Sequence, residues 1–186
     1  WITSHGEIKA LNQLTISPQV SGEIVHIHPG LEVGALVKAQ DFLLRIDPQT
    51  YQAAYDEARA TVMRLKAIIK RLGIEQSCDQ RRLKILKRNK ALALTELERS
   101  RRLLKFHKVG NQSAVDRKEQ DYNSAADMAD QLAAKVEMLP IRIREASSNL
   151  AAAQAQLNLA GIHLKRCTLQ APFSGRVKAV FVEQYQ

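Results

Sequence analysis

A repeat of apolar side chains at alternating spacings of four and three residues limits the fold of this chain more than any other feature. It runs from about residue 48 to residue 165 and keeps its phase across Gln76, Asp79, Lys90 and Ser100. A sustained 3.5-residue repeat is typical of the seam of a coiled coil. In the first arm the apolar positions are Tyr51, Tyr55, Ala58, Val62, Leu65, Ile69, Leu72, Leu83, Leu86, Ala93, Leu97 and Leu104.

The second arm repeats the pattern with one polar residue, Lys118. A short bend containing Gly110 and Asn111 separates the arms, and both residues suit left-handed turn conformations. The sequence therefore predicts an antiparallel hairpin with arms at about 49–108 and 113–165. The apolar positions of the second arm are Val115, Tyr122, Ala125, Ala129, Leu132, Val136, Leu139, Ile143, Ala146, Leu150, Ala153, Leu157, Ala160 and Leu164.

Short apolar runs broken by Pro and Gly flank the hairpin on both sides, which is typical of short strands joined by tight turns. The segment VSGEIVHI at 20–27 aligns with FSGRVKAV at 173–180, and a proline lies just before each. Each half is too short to bury a core alone. We therefore expect one β domain of α+β class, split into residues 16–47 and 167–186, with the hairpin (48–166) inserted between its halves. GEIKALNQLTI, residues 6–16, alternates loosely and predicts a further strand.

Two helix breakers are predicted to lie at one level of the hairpin. Pro140 removes a helical hydrogen bond and should kink the second arm. It is expected to lie opposite about residue 80, beside the polar seam positions Gln76 and Asp79, with Gly73 close by. We interpret this level as a hinge; a solvated bend without a functional role is the alternative.

The end of the hairpin carries an outward-facing aromatic residue. Arg102 and Phe106 are spaced i,i+4 and lie roughly opposite the seam, so Phe106 should pack against nothing in its own chain. Ser113 is a candidate N-cap for the second arm, with Asp116 in its first turn. These positions indicate a docking surface; an incidental exposed aromatic residue is the alternative.

The net charge of +9 is concentrated in the first arm. Residues 51–108 hold 16 Lys/Arg against 6 Asp/Glu, a net of +10. A basic coiled-coil module that binds nucleic acid or anionic lipid through Arg81–Lys90 is the alternative function. No aromatic residue interleaves with those charges for base stacking, so nucleic acid is not the expected partner. No segment approaches the 18 apolar residues of a transmembrane helix.

No catalytic or metal-binding pattern is readable, so the chain is not expected to be an enzyme or to hold a cofactor. His26 and His28 would share one face of a strand, but two ligands without a third make a weak metal site. Cys78 and Cys167 are too far apart in the expected hairpin to form a disulfide. No phosphate loop or pair of catalytic carboxylates is present.

These features together resemble the periplasmic adaptor proteins, or membrane fusion proteins, of tripartite efflux pumps and type I secretion systems (the HlyD-like family). The β domain resembles a lipoyl (biotinyl) domain whose turns would be formed by Ser21, Gly22, Gly30, Ser174 and Gly175. A modified lysine is not expected, because the helices replace the tight turn that carries it in a true lipoyl domain. The resemblance also implies that residues 1–15 lead from a β-barrel domain.

At the hairpin tip, the family has an Arg, a Leu four residues later and a Ser seven residues after that. Arg102, Phe106 and Ser113 have this spacing, with Phe in place of Leu. Two glycines usual in the family are replaced here by Gln40 and Tyr185.

The family resemblance implies a function as well as a fold. It implies a periplasmic adaptor that links an inner-membrane transporter, of ABC or major-facilitator type, to an outer-membrane channel of TolC kind through the hairpin tip. A homo-oligomer (trimer or hexamer) is expected, anchored to the inner membrane by a segment outside this sequence.

Overall fold

A computed structural model describes residues 12–107 and 111–181. The elements follow in the order β1 (Ile24–Ile27), β2 (Leu36–Val37), β3 (Phe42–Ile46), α1 (Gln49–His107), α2 (Gln112–Arg166), β4 (Thr168–Gln170) and β5 (Gly175–Arg176). The chain divides into two compact units, which within the described residues are 12–57 with 157–181, and 58–156. We call them the β unit and the hairpin unit. The β unit therefore includes the first turns of α1 and the last turns of α2.

The two chain halves of the β unit share both of its sheets. β1, β3 and β4 form one antiparallel sheet in the order β1-β3-β4, and β2 pairs with β5 in the other. Side-chain bonding also links the halves, because the Ser174 Oγ accepts a hydrogen bond of 2.9 Å from the Ala39 amide. The prediction of an α+β fold with a split β domain and an inserted helical hairpin is confirmed.

The core of the β unit lies where the strands meet the helix ends. Ile24, Leu44, Ile46 and Cys167 form its buried cluster, against which Tyr51 packs. The Tyr51 hydroxyl donates a hydrogen bond of 2.8 Å to the carbonyl of Ser21. Tyr51, the first seam residue of α1, thus packs against the core of the β unit.

The start of α1 is fixed by local capping. The Asp47 carboxylate accepts a hydrogen bond of 3.0 Å from the Gln49 amide. Pro48, between them, lacks an N–H group that a first helical turn would leave unpaired in any case.

In the hairpin unit, α1 and α2 run antiparallel along the expected seam. Every residue assigned to the seam from the 3.5-residue repeat is buried or half-buried, including the polar ones. Ion pairs fix the register. The Lys90 ammonium lies 3.1 Å from the Asp130 carboxylate, and the Arg101 guanidinium lies 2.9 Å from that of Glu119. As the α1 partner moves forward along the chain, the α2 partner moves backward.

At the level of the two helix breakers, Gly73 and Pro140, both apolar and ionic contacts join α1 and α2. Leu72, Leu139 and Ala146 form a buried cluster. Beside it, the Lys135 ammonium lies 2.9 Å from the Glu75 carboxylate and 2.8 Å from that of Asp79. These contacts raise the pKa of Lys135, the hydrogen-bonding contact with Asp79 first and that with Glu75 second.

The three residues assigned to a hinge lie at this level on different sides of the helices. Pro140 is exposed inside α2, which is assigned as one helix across it. Gly73 is exposed, and a Cβ added there would meet no atom within 4 Å. Gln76 is half-buried in the seam. The hinge remains a prediction.

The expected strand at residues 6–16 is not observed in its described part. Residues 12–16 have no regular secondary structure, because none of the described strands pairs with them. Residues 6–11 lie outside the described residues.

Candidate docking surface at the hairpin tip

Buried and ionic contacts hold the last turns of α1 against the first turns of α2. Val115 is buried and Leu104 half-buried in the seam. The ion pair of Arg101 with Glu119 joins the two helices at the same level. This pair was not predicted from the sequence. Opposite charges that flank two apolar seams are the signal that would have indicated it.

Arg102 and Phe106 lie outside the seam on the last turns of α1. Both are exposed, and the Phe106 side chain keeps 71% of its surface accessible. The Lys105 ammonium lies 5.7 Å from the centroid of the Phe106 ring, within the range of a cation–π contact. A large aromatic side chain exposed beside two cations forms a surface that is both apolar and basic.

Ser113 occupies the first turn of α2, but it is not the cap of that helix. α2 begins at Gln112, and the Asn111 side-chain oxygen accepts a hydrogen bond of 2.9 Å from the Ala114 amide. Asn111 therefore caps the helix, two residues earlier than the expected Ser113, because its short amide reaches the third helical N–H. The Ser113 side chain is exposed.

The structure brings two of the three predicted tip residues onto one face. Arg102 and Phe106 share a face of α1, whereas Ser113 belongs to α2. No hydrogen bond or ring contact joins the three within residues 12–107 and 111–181. Residues 108–110, including Gly110 of the expected bend, lie outside the described part. Leu103, 41% exposed, adds apolar surface that was not predicted from the sequence.

The predicted turn residues of the β unit serve the fold at separate places. A Cβ added at Gly22 would lie 2.8 Å from a methyl group of Ile46, so only glycine fits there. The Gly30 amide donates to Nδ1 of His28 at 3.0 Å. Gly175 pairs with Val37 between β5 and β2. Together with Ser21 and Ser174, described above, these residues join strands and form no single site.

The histidine and cysteine candidates occupy structural positions. The His26 ring lies 5.3 Å from that of Phe42, and His28 accepts the Gly30 bond. Burial raises the pKa of the Cys167 thiol, which donates to the His163 carbonyl at 3.4 Å. The described residues contain no group of three or more His, Cys, Asp or Glu side chains that could hold a metal ion. Neither of the two described helices has a stretch long and apolar enough to cross a bilayer.

Comparison with known proteins places these features in a family. Residues 12–185 match the family model described as "RND MFP, barrel-sandwich hybrid domain". The multidrug resistance protein MdtN of Escherichia coli (strain K12) is 30% identical over 180 residues, which cover 88% of this chain and 50% of MdtN. The multidrug resistance protein MdtA of Yersinia pestis (strain Pestoides F) is 24% identical over 187 residues, covering 100% of this chain and 32% of MdtA. The chain thus spans half or less of these relatives.

Solved structures of low sequence identity also match. MacA from Actinobacillus actinomycetemcomitans is 20% identical with a TM-score of 0.46, covering 95% of this chain and 45% of MacA. The periplasmic adaptor protein EmrA is 14% identical with a TM-score of 0.44, covering 90% of this chain and 66% of EmrA.

Proposed function

This chain belongs to the RND membrane fusion protein family, and we propose that it is the hairpin and β-domain part of a periplasmic adaptor in a drug-efflux or export pump. The adaptor would link an inner-membrane transporter to an outer-membrane channel. The family model names the RND type of transporter, whereas the resemblance implied the ABC or major-facilitator type. The proposal therefore names no transporter type. The proposed location is the periplasm, with attachment to the inner membrane through another part of the protein.

The observation that carries the proposal is the exposed apolar and basic face at the end of α1. Phe106 is 71% exposed beside Arg102 and Lys105, and the Lys105 ammonium lies 5.7 Å from the centroid of its ring. Aromatic and arginine side chains are the residues most enriched in protein interfaces. We assign Arg102 and Phe106, with Ser113 on the facing helix, to channel docking.

Crosslinking tests the docking assignment in the full-length adaptor. Cysteines placed at positions 102, 106 and 113 should each crosslink to the channel in cells that export a fluorescent substrate. The matched control is Met63→Cys, which is also exposed on α1 but lies far from the tip in sequence. Export that persists without any tip crosslink, or equal crosslinking from position 63, would contradict the assignment.

Substitution of Phe106 measures how much its ring contributes to the affinity for the channel. Phe106→Ala should weaken channel binding by roughly ten- to a hundredfold, the usual cost of truncating a central interface aromatic. Phe106→Leu restores the residue usual in the family and should retain most of the binding. Because Phe106 is exposed, neither change should alter the thermal midpoint of unfolding. An unchanged affinity for the Ala variant would remove Phe106 from the interface.

The level of Gly73, Gln76 and Pro140 is proposed as a hinge of the hairpin. Glycine and proline inside helices lower helical stability, so bending costs least where both occur. A homo-oligomer, trimeric or hexameric, is proposed as the working state. The alternative function, a basic module for nucleic acid or anionic lipid, is not proposed, because the charges of residues 81–90 flank a helix whose Leu83 and Leu86 pack in the hairpin seam.

A further inference from the structure

Each helix of the hairpin has local features that favour bending at the proposed hinge. In α1, Gly73 is followed one turn later by Ser77, whose Oγ donates a hydrogen bond of 2.8 Å to the carbonyl of Ile74. Glycine has a low helix propensity, and a serine bonded to a carbonyl of the preceding turn often bends a helix. In α2, Pro140 has no N–H group to donate to the carbonyl of Val136. Both helices are therefore weakened here.

The two weakened places lie at the same height along the hairpin. Leu72 and Leu139 pack in one buried cluster, and they are the immediate sequence neighbours of Gly73 and Pro140. When a pair of packed helices bends at one height, the helix on the outside of the bend follows the longer path, so the helices slide past each other. Contacts that resist sliding at this height therefore determine how easily the pair bends.

One cation of α2 contacts two carboxylates of α1 at this height. The Nζ atom of Lys135 lies 2.9 Å from Oε1 of Glu75 and 2.8 Å from Oδ2 of Asp79. Elsewhere in the described residues, each ion pair that joins α1 to α2 involves a single carboxylate. Glu75 and Asp79 are one helical turn apart, about 6 Å along the axis, so sliding in either direction moves the ammonium away from one of them.

The position of Asp79 indicates that this contact controls alignment more than stability. Asp79 occupies a seam position that the repeat otherwise fills with apolar residues, and 14% of its side-chain surface is accessible. Its like-charged neighbour Glu75 at i,i+4 repels it, and a buried ion pair commonly stabilises less than apolar side chains of similar size. Polar residues in an apolar seam are best known for fixing how two helices align.

We propose that Glu75, Asp79 and Lys135 form an electrostatic latch that restrains bending of the hairpin at the proposed hinge. The latch is closed in the structure, because the ammonium contacts both carboxylates. Bending with sliding breaks one contact and keeps the other, so a bent hairpin stays partly paired in either direction. The inference rests on the proposed hinge and adds the contact that restrains it.

Hydrogen exchange in the full-length adaptor tests the latch without a transport assay. Lys135→Gln should raise amide exchange at residues 73–79 and 136–139 by roughly tenfold, since opening no longer breaks charged contacts. Lys135→Arg keeps the charge and should leave exchange within about threefold of the original. Lys90→Gln, which removes an interhelical ion pair away from both helix breakers, should leave exchange at residues 73–79 unchanged.

Salt provides a second measurement of the same contact. The Lys135 side chain is 49% accessible, so dissolved ions can screen its charge. Raising the salt concentration from about 0.1 M to about 1 M shortens the Debye length from about 10 Å to about 3 Å. Exchange at residues 73–79 should then rise several-fold in the original protein and stay nearly constant in Lys135→Gln. The same salt response in both proteins would contradict an electrostatic latch.

A double-mutant cycle distinguishes a latch from an ion pair that only adds stability. With Gly73→Ala and Pro140→Ala in place, the remaining fluctuations at this level should be too small to break the ion pairs. Lys135→Gln should then raise exchange by less than about threefold, whereas the effect of Lys90→Gln should be the same in both backgrounds. An equal effect of Lys135→Gln in both backgrounds, or none in the original protein, would overturn the latch.

The readouts separate the latch from the proposed use of the hinge in transport. Hydrogen exchange reports the contact whether or not the adaptor exports a substrate, and export by the Gly73→Ala and Pro140→Ala variants reports whether bending is used. Coupled exchange with normal export would support the latch and remove the hinge from transport. Uncoupled exchange with impaired export would overturn the latch and keep the hinge.

Discussion

At the scale of single residues, the backbone at position 40 shows how a turn constrains side-chain choice. Gln40 has φ of 69°, in the left-handed region that favours glycine. Its amide donates to the Ala171 carbonyl at 2.7 Å, and the Ala171 amide donates to the Asp41 carbonyl at 2.9 Å. These bonds join the two halves of the β unit and hold the residue in place. The turn therefore has the conformation that the family's usual glycine adopts without strain.

Replacing Gln40 by glycine should stabilise the chain. Relief of the left-handed penalty, about 1–2 kcal/mol, exceeds the entropy that glycine adds to the unfolded state, about 0.4–1 kcal/mol. We expect a net gain of about 0.5–1 kcal/mol in the free energy of unfolding, measured by chemical denaturation. The matched control Ala39→Gly adds the entropy at a position without positive φ and should not stabilise. A less stable Gln40→Gly variant would contradict this account.

At the scale of elements, the seam could be predicted from the sequence and its polar partners could not. The phase of the 3.5-residue repeat alone correctly assigned Asp79 and Lys90 to half-buried positions. Their partners, Lys135 and Asp130, lie beside the α2 seam, and finding them requires the register between the helices. The tip residues could likewise be placed on their helices from the repeat. The contacts around them could not be predicted, because these also depend on the register between the helices. The capping error at Ser113 arose because Asn111, two residues earlier, is also a residue type favoured at the N-cap.

The Lys135 ion pairs should make the stability of the hairpin depend on pH in the alkaline range. The folded state raises the pKa of Lys135, so it favours the ammonium form. The resulting stabilisation is fully present below the unfolded pKa of about 10.4 and is lost as pH rises through the higher folded value. The thermal midpoints of the original chain and of Lys135→Gln should therefore differ at pH 8 and converge above about pH 10.5.

Lys70→Gln is the control for this pH dependence. Lys70 is an exposed lysine of α1 with no ion pair in the described part of the chain. Its substitution should leave the thermal midpoint nearly unchanged at every pH. A difference between Lys135→Gln and the original chain that persists unchanged at high pH would mean that the ammonium charge is not the source of the stabilisation.

The proposed hinge predicts that stability and transport change in opposite directions. Gly73→Ala should stabilise the hairpin by about 0.5–1 kcal/mol, because the added methyl group meets open space. Pro140→Ala should restore a helical hydrogen bond and stabilise by about 1–3 kcal/mol. If bending at this level is used, both variants should lower export by the full-length adaptor. Ser148→Ala, an exposed change elsewhere in α2, should not. Stabilised variants with unchanged export would refute the hinge.

At the scale of the whole molecule, the internal repeat was sufficient to predict the split domain. Two copies of a short Ser-Gly pattern 153 residues apart implied halves that complete each other. The structure adds how they do so: β4 of the second half pairs with β3, and β5 pairs with β2. That pairing could not be read from the sequence, because strands of two or three residues carry almost no periodic signal.

The split β unit also has a consequence for the order in which the chain folds. β3 ends at Ile46 and β4 begins at Thr168, so the central sheet cannot be completed until most of the chain has been synthesised. Closing so long a loop is slow unless the intervening segment folds first and shortens it. The two helices would pack against each other first, because their contacts near the bend join residues that are close in sequence. Until then the free edge of β3 is open to other strands, and a nascent chain is most prone to aggregate during this interval.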